Sequence, residues 1–264
     1  MKNGRKDGYG KLFNIDYSIM FKGNFKNDFI HQNDAIVYSG YDVKQFEGSL
    51  VEGMKQGIGK EYNENGQLVY HGGFLNDDYH GKDGRLYHET TGLLIYEGDF
   101  VKNTKEGFGT LYSRKGKFVY KGGFKNDSIH GDNVKIYHEN GKLKFEGNMF
   151  EGKKEFHGKS YNVYGRLDHE GCYSCNRMHG KGIAFQSVGG WKDAVSEDYW
   201  LLYQGEYVNG VKKGFGRDYH PNGKLMYQGR FGGLADNTIP IYIYNENGSV
   251  KYFGLPQNQQ HLYL

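Results

Sequence analysis

Proline, cysteine and long apolar runs are scarce in this chain, and each scarcity excludes a class of protein. Three prolines among 264 residues leave nearly every backbone N–H free for hydrogen-bonded ladders. Two cysteines are too few for a disulfide framework and indicate a reducing compartment. No apolar run approaches the roughly 18 residues of a transmembrane helix, and the segment after Met1 has no apolar region typical of a secretory signal. We therefore expect a cytoplasmic protein.

Charge excludes a further class of partner. The formal net charge is +3, and acidic and basic residues are evenly interspersed. A nucleic-acid binder carries a concentrated basic patch, so we expect no nucleic acid.

Glycine and aromatic residues are abundant, with 42 Gly, 24 Tyr and 17 Phe, and they recur in register. An aromatic-x-Gly motif returns every 24 to 26 residues, apart from one interval of 34. Such a period predicts an array of stacked units rather than a globule. We predict a repeat array over residues 1–254, with a half repeat at 4–20, an insertion at 186–202 and a C-terminal tail at 255–264. The nine repeats start at residues 21, 46, 70, 96, 120, 145, 169, 203 and 227.

Each repeat reads as a β-hairpin. In Tyr70-His-Gly72-Gly-Phe74 the alternation of a strand places both rings and Gly72 on one face. The glycine is expected to leave a slot for a ring of a neighbouring unit, and the tyrosine hydroxyl to reach water. The same structural role is predicted for Tyr96, Gly98, Phe100, Tyr120, Gly122, Phe124, Tyr203, Gly205 and Tyr207.

A second strand of the form Gly-x-Gly-x-x-Tyr follows in each repeat, and it ends at turn signals such as Asn65-Gly66. A lone hairpin cannot bury its aromatic face, so the units must stack. The predicted fold is all-β: an elongated, twisted, single-layer antiparallel sheet of β-hairpin repeats.

These units resemble the MORN repeat (membrane occupation and recognition nexus), with the best matches at residues 96–116 and 203–223. The resemblance implies a non-enzymatic scaffold for protein partners, with a setting in a cytoskeletal or ciliary assembly such as an axonemal radial spoke. It implies two alternatives: a peripheral module that binds anionic phospholipid, and a bacterial immunity or antitoxin-like binder. The segment from Tyr137 to Gly147 is similar to bacterial repeat units of the latter kind.

Alternate repeats share Asn-Asp followed by a histidine, which gives a longer period. The histidines are His31, His80, His130 and, in a weaker copy, His179, at intervals of 49, 50 and 49 residues. One interpretation is a periodic docking edge for an elongated partner. The other is that Asn-Asp sets a wider turn and the histidine packs beside a glycine.

The insertion at 186–202 holds both tryptophans. Trp191, Tyr199 and Trp200 are candidates for partner contact, because insertions in arrays form loops on a binding face and tryptophan is enriched in binding hot spots. The alternative is an extended hairpin whose rings cover the sheet.

The sequence gives little support for a catalytic, metal-binding or phosphate-binding site. Cys172 and Cys175, flanked by His169 and His179, have the spacing of half a zinc site, but repeat register already explains these positions. The Gly-x-Gly pairs open no helix and so cradle no phosphate. We predict no catalytic residue, no metal and no cofactor.

The half repeat before residue 21 contains the second strand of a hairpin but not the first. Such an edge is unpaired, so we expect protein partners and allow for a homo-oligomer that pairs end to end there.

Overall fold

The computed structural model describes residues 1–187, 199–232 and 240–255. In these ranges the chain forms antiparallel strands and one turn of 3-10 helix, Gly40–Asp42. It divides into two units, Met1–His130 and Gly131–Leu264, and each unit contains one sheet. The predicted all-β architecture of hairpins is confirmed, and it is distributed over two sheets.

Strands in the first sheet follow chain order, and short strands β3, β8 and β13 pair only with the strand before them. The strands are β1 Gly8–Phe13, β2 Ile19–Lys26, β3 Phe29–Ile30, β4 Gln32–Tyr38, β5 Lys44–Val51, β6 Met54–Tyr62, β7 Leu68–Leu75, β8 Asp78–Tyr79, β9 Gly81–Tyr87, β10 Leu94–Val101, β11 Thr104–Tyr112, β12 Phe118–Lys125 and β13 Ser128–Ile129.

The second sheet is also in chain order, from β14 to β23. Its strands are β14 Gly131–Tyr137, β15 Leu143–Phe150, β16 Lys153–Tyr161, β17 Leu167–Ser174, β18 Arg177–Ser187, β19 Tyr199–Val208, β20 Val211–Tyr219, β21 Leu225–Phe231, β22 Ile241–Tyr244 and β23 Val250–Gly254.

Hairpins turn tightly at one end and more widely at the other. At the tight ends two successive residues have positive φ, as at Asn76 (51°) and Asp77 (70°), which is the type I′ geometry that matches strand twist. The Asn-Gly segments predicted as turns, such as Asn65-Gly66, lie at the wide ends. There Gly66 donates to the Asn63 carbonyl, and Asn63 to that of Gln67.

One face of each sheet, which we call the ring face, buries the repeat aromatics. Tyr70, Phe74, Tyr96 and Phe100 are each at most 4% exposed. The leading ring of a repeat meets the second ring of its own repeat and of the next, edge to face. Tyr70 lies 5.2 Å from Phe74 and 5.4 Å from Phe100 between ring centroids. Such contacts add to the stabilisation from buried apolar area.

The glycines on the ring face are covered in part differently from the prediction. A Cβ on Gly98 or on Gly109 of the next strand would lie 2.5 Å from the Tyr96 hydroxyl oxygen. At Gly98 the ring that fills the slot therefore comes from the same strand, two residues earlier. At Gly84 a Cβ would also meet the Phe100 ring of the next repeat at 2.8 Å, as predicted.

The tyrosine hydroxyl was expected in water and is instead bonded to the backbone. Tyr96 donates to the Asp99 carbonyl at 3.2 Å, and Tyr203 to that of Glu206 at 2.9 Å. The ring folds forward over its glycine, which brings the hydroxyl to the carbonyl three residues on. Tyr70, Tyr120, Tyr227 and Tyr252 make the same bond.

Candidate functional site

The face opposite the ring face, which we call the open face, exposes large apolar side chains at one repeat position. In the first unit these are Tyr9, Ile58 and Phe108, which are 68%, 67% and 58% exposed. Phe215 occupies the position in the second unit. Exposed apolar side chains repeated in register are typical of an interaction surface.

Glycines explain why Ile58 and Phe108 stand clear of the sheet. Ile58 lies between Gly57 and Gly59 and pairs with Gly73 across the ladder. Gly73 accepts no Cβ, because the His80 carbonyl oxygen occupies that space. Ile58 therefore has no large cross-strand neighbour there, and Phe108 stands in the same way opposite Gly123.

A shallow groove crosses the strands of the second unit on the open face. The backbone of Gly171, Gly182 and Gly205, one glycine from each of three successive strands, lines it together with the side chains of His157 and Phe215. Because successive strands contribute one glycine each, the groove follows the direction in which the repeats stack.

Ion pairs neutralise much of the open face. The Arg85 Nε lies 2.7 Å from the Glu97 carboxylate, and Lys159 lies 3.1 Å from Glu170. Exposed pairs of this kind contribute little stability, but each one neutralises a positive charge on the open face.

Half-buried lysines lie on the ring face at every second repeat. The Lys55 ammonium is 5.3 Å from the Phe46 ring centroid, and that of Lys212 is 4.7 Å from Tyr203. Lys105 and Lys154 hold the equivalent strand positions over Tyr96 and Phe145. The cations are thus held by aromatic faces, an arrangement worth up to about 2 kcal/mol when desolvated.

Three of these lysines also pair with a carboxylate. Lys55 pairs with Glu61, Lys105 with Asp127 at 3.5 Å, and Lys212 with Asp218. Among the described residues no carboxylate forms an ion pair with Lys154. Burial lowers the pKa of Lys154, and the positive charge of Lys144 lowers it further.

The predicted histidines occupy two different environments. His31, His80 and His130 follow the short strands, where the backbone N–H of each donates to a carbonyl of the preceding long strand, at 2.8 Å for His80 and Gly73. The Nδ1 atoms of His31 and His80 are buried without a partner. His179 lies within β18 and is exposed.

The parts of the insertion that the structure describes extend the hairpin of β18 and β19. Strands β18 and β19 pair as far as Ser187 and Tyr199. The Tyr199 ring stacks on Phe185 with 5.4 Å between centroids, and its hydroxyl donates to the Leu167 carbonyl. Trp200 is half-buried, and its Nε1 has no partner. Trp191 lies outside the described residues.

The cysteine and histidine cluster does not assemble in the described ranges. There, no three His, Cys, Asp or Glu side chains are grouped so that they could hold a metal ion. His169 is 4% exposed and bonds through Nδ1 to the Tyr173 hydroxyl at 2.9 Å. Burial lowers the pKa of His169 to about 4, with Lys154 as a further cause.

Sequence reasoning missed both the open-face apolar residues and the ring-face lysines, although each leaves a signal. Ile58 and Phe108 each stand between the two glycines of a Gly-x-Gly pair. Lys55, Lys105 and Lys154 are 50 and 49 residues apart, the same long period as the histidines.

Comparison with known families agrees with this geometry. The MORN repeat family model matches residues 1–16, 46–67, 96–118, 169–184 and 203–224. These five segments of the chain are MORN repeats. The matches include the two segments that resemble the consensus best, 96–116 and 203–223. MORN repeats form binding scaffolds, and the MORN repeat is a non-enzymatic module.

Other comparisons are weaker. No curated protein matches the sequence. A solved structure, the crystal structure of TcdB2-TccC3-TEV, is 10% identical with a TM-score of 0.20, which is too low to indicate a shared fold. That alignment covers 95% of this chain and 15% of the other. Among the described residues, no helix is both long and apolar enough to cross a membrane.

Proposed function

We propose that this chain is a non-catalytic scaffold that binds a protein segment laid across the strands of its open face. The observation that carries the proposal is the register of Tyr9, Ile58 and Phe108, which present apolar side chains at the same position of alternate repeats. Four strand spacings separate successive members of this row, or roughly 19 Å at about 4.8 Å per strand. A partner segment with apolar side chains at that spacing fits the row.

A protein partner fits this face better than a lipid surface does. Lys135 pairs with Glu146 at 3.0 Å, and Arg85 and Lys159 are paired with glutamates as well. Attraction to anionic lipid depends on unneutralised basic residues near the membrane, and these pairs reduce it.

Affinity capture from the native source tests the proposal. The double variant Ile58→Ser, Phe108→Ser removes two members of the row, and we expect it to lose proteins that the wild type captures. The matched control is Ile15→Ser, Leu93→Ser, which removes exposed apolar side chains from turns of the same unit. Equal capture by wild type and the open-face variant contradicts the proposal, and vesicle sedimentation detects a lipid ligand.

Within this function we propose a cytoskeletal or ciliary setting and end-to-end self-association. The setting is supported by family analogy alone, and imaging of the tagged protein in its native cell tests it. Self-association is supported by β1, which pairs only with β2 in the described part of the chain. Sedimentation of wild type and of a Tyr9→Pro variant, which interrupts a ladder edge, tests that contact.

A further inference from the structure

The four half-buried lysines on the ring face are Lys55, Lys105, Lys154 and Lys212. They occupy equivalent positions, so their carboxylate partners can be compared. At each of the three paired lysines the carboxylate comes from one of two nearby positions. One is the residue that pairs with the leading aromatic of the next repeat, which is Glu61 for Lys55 and Asp218 for Lys212. The other is the second residue of the next tight turn, which is Asp127 for Lys105.

At Lys154 both positions carry neutral side chains. Ser160 replaces the acid opposite the leading aromatic, and its hydroxyl bonds to that of Tyr173 at 2.8 Å. Asn176 replaces the acid of the turn and accepts from the Lys154 backbone N–H at 2.8 Å. Lys154 therefore keeps the aromatic support of the other lysines but lacks their counter-ion.

Although it lacks a counter-ion, Lys154 is held in place by two aromatic rings. Its ammonium lies 4.7 Å from the Phe145 ring centroid and 5.2 Å from that of Tyr173. Burial and the neighbouring Lys144 disfavour its charged form and lower its pKa, while Asp168 raises the pKa through its charge without forming an ion pair. An added carboxylate would stabilise the charged form of Lys154.

We propose that Lys154, with the rings of Phe145 and Tyr173 beside it, binds a carboxylate of an acidic segment of the protein partner. The proposal rests on the scaffold function above and adds a second contact with the partner, in which an acidic segment binds the ring face. A carboxylate is favoured over a phosphate because the equivalent places at Lys55, Lys105 and Lys212 hold carboxylates. Charge-assisted hydrogen bonds of this kind are about twice as strong as neutral ones.

Titration of the full chain with a hexaglutamate peptide, blocked at both ends, tests the proposal. NMR of the lysine side chains follows Lys154 directly, and we expect its resonances to move on binding and its pKa to rise. Lys154→Met keeps an apolar chain over the rings and should weaken peptide binding about tenfold. Ser160→Glu supplies an internal carboxylate to Lys154. It should weaken peptide binding as much as Lys154→Met does, although the lysine is still present.

Two further variants control the comparison. Lys105→Met removes a lysine that is already paired and should leave binding within about twofold of wild type. Asp218→Ser removes the ion-pair partner of Lys212, and the Lys212 resonances should then move with the peptide. Circular dichroism and thermal unfolding check that each variant is folded.

Several outcomes overturn the proposal. They are no peptide binding by wild type, equal binding by Lys154→Met and wild type, and a Lys154 response to acetate but not to the peptide. Lys154-dependent sedimentation with phosphatidylserine vesicles, without peptide binding, would assign the site to a membrane. Ile58→Ser, Phe108→Ser should bind the peptide like wild type, so a defect in open-face capture and a defect at Lys154 are distinguishable.

Discussion

Asp77 joins the tip of its hairpin to Lys55, which lies 22 residues earlier in the chain. Its side chain accepts a hydrogen bond from the Lys55 backbone N–H at 2.8 Å, and its own N–H donates to the Lys55 carbonyl at 3.2 Å. Asp127 makes the same two bonds with Lys105. The Asn-Asp motif therefore connects successive hairpin tips, and this connection accounts for its recurrence. A docking role for the histidine that follows stays a prediction.

We predict that Asp77→Gly lowers the free energy of unfolding by about 1 kcal/mol, because one interhairpin hydrogen bond is lost. Glycine keeps the positive φ of 70° without strain, so the substitution isolates the side-chain bond. Asp77→Asn keeps an acceptor oxygen, as Asn176 does naturally, and should stay within about 0.5 kcal/mol of wild type. Urea denaturation followed by circular dichroism measures both changes.

Asp83→Gly is the control for this prediction. Asp83 also has a positive φ, 57°, and is exposed, but no hydrogen bond of its side chain links two hairpins in the described structure. If Asp83→Gly costs as much as Asp77→Gly, the connection between tips is not the source of the stability.

The sequence predicts the ring face well because strand alternation is local. Tyr70, Gly72 and Phe74 are buried together, as their spacing requires. The hydroxyl bond from Tyr96 to the Asp99 carbonyl was not predictable, since it depends on the ring folding over its own glycine. The bond between Asp77 and Lys55 depends on how two hairpins meet, which the spacing of residues within one repeat does not determine.

The candidate site was predicted less well for a related reason. The exposure of Ile58 follows from the absence of a side chain on Gly73, and that depends on cross-strand register. That Lys154 lacks a counter-ion is recognised only when it is compared with the lysines at the same strand position of other repeats, about 50 residues away.

His169 stands where other repeats have tyrosine, and we predict that His169→Tyr stabilises the second unit by about 1 kcal/mol. The histidine leaves its buried Nε2 without a partner. A tyrosine there would bring its hydroxyl to the Cys172 carbonyl, three residues on, as Tyr203 does with Glu206. Thermal unfolding of the variant measures the gain. A midpoint below that of wild type would show that the slot over Gly171 and Gly182 does not accept tyrosine.

Acid should destabilise the protein through the same histidine. The folded-state pKa of His169 is lowered to about 4 from its ordinary 6.5. Between these values the unfolded chain binds a proton at this side chain and the folded chain does not, so stability falls as pH drops through that window. For this group the loss reaches about 3 kcal/mol.

His169→Tyr also provides the control for the acid effect, since it removes the titrating group. We expect the difference in unfolding free energy between variant and wild type to grow as the pH falls from 6.5 to 4. A difference that is constant across this range contradicts a role for His169 in acid sensitivity.

Phe156 has a positive φ of 56° at a position where four other repeats have glycine. Those glycines, Gly57, Gly107, Gly180 and Gly214, have φ between 65° and 80°. The left-handed conformation costs a side-chain-bearing residue roughly 1–2 kcal/mol, whereas glycine loses about 0.5–1 kcal/mol more conformational entropy on folding. Phe156 is 71% exposed, so its burial offsets little of the strain. Phe156→Gly should therefore raise the free energy of unfolding by up to about 1 kcal/mol in urea denaturation.

Phe108→Gly is the matched control, since Phe108 is also an exposed strand phenylalanine but has no positive φ. There glycine brings its entropic cost and also loses the contact of the ring with the Lys121 ammonium at 5.9 Å, and we expect a loss of about 0.5–1 kcal/mol. Opposite signs for the two substitutions identify backbone strain at Phe156 as the cause. If Phe156→Gly destabilises as much as Phe108→Gly, the phenylalanine contributes packing that outweighs the strain of its φ.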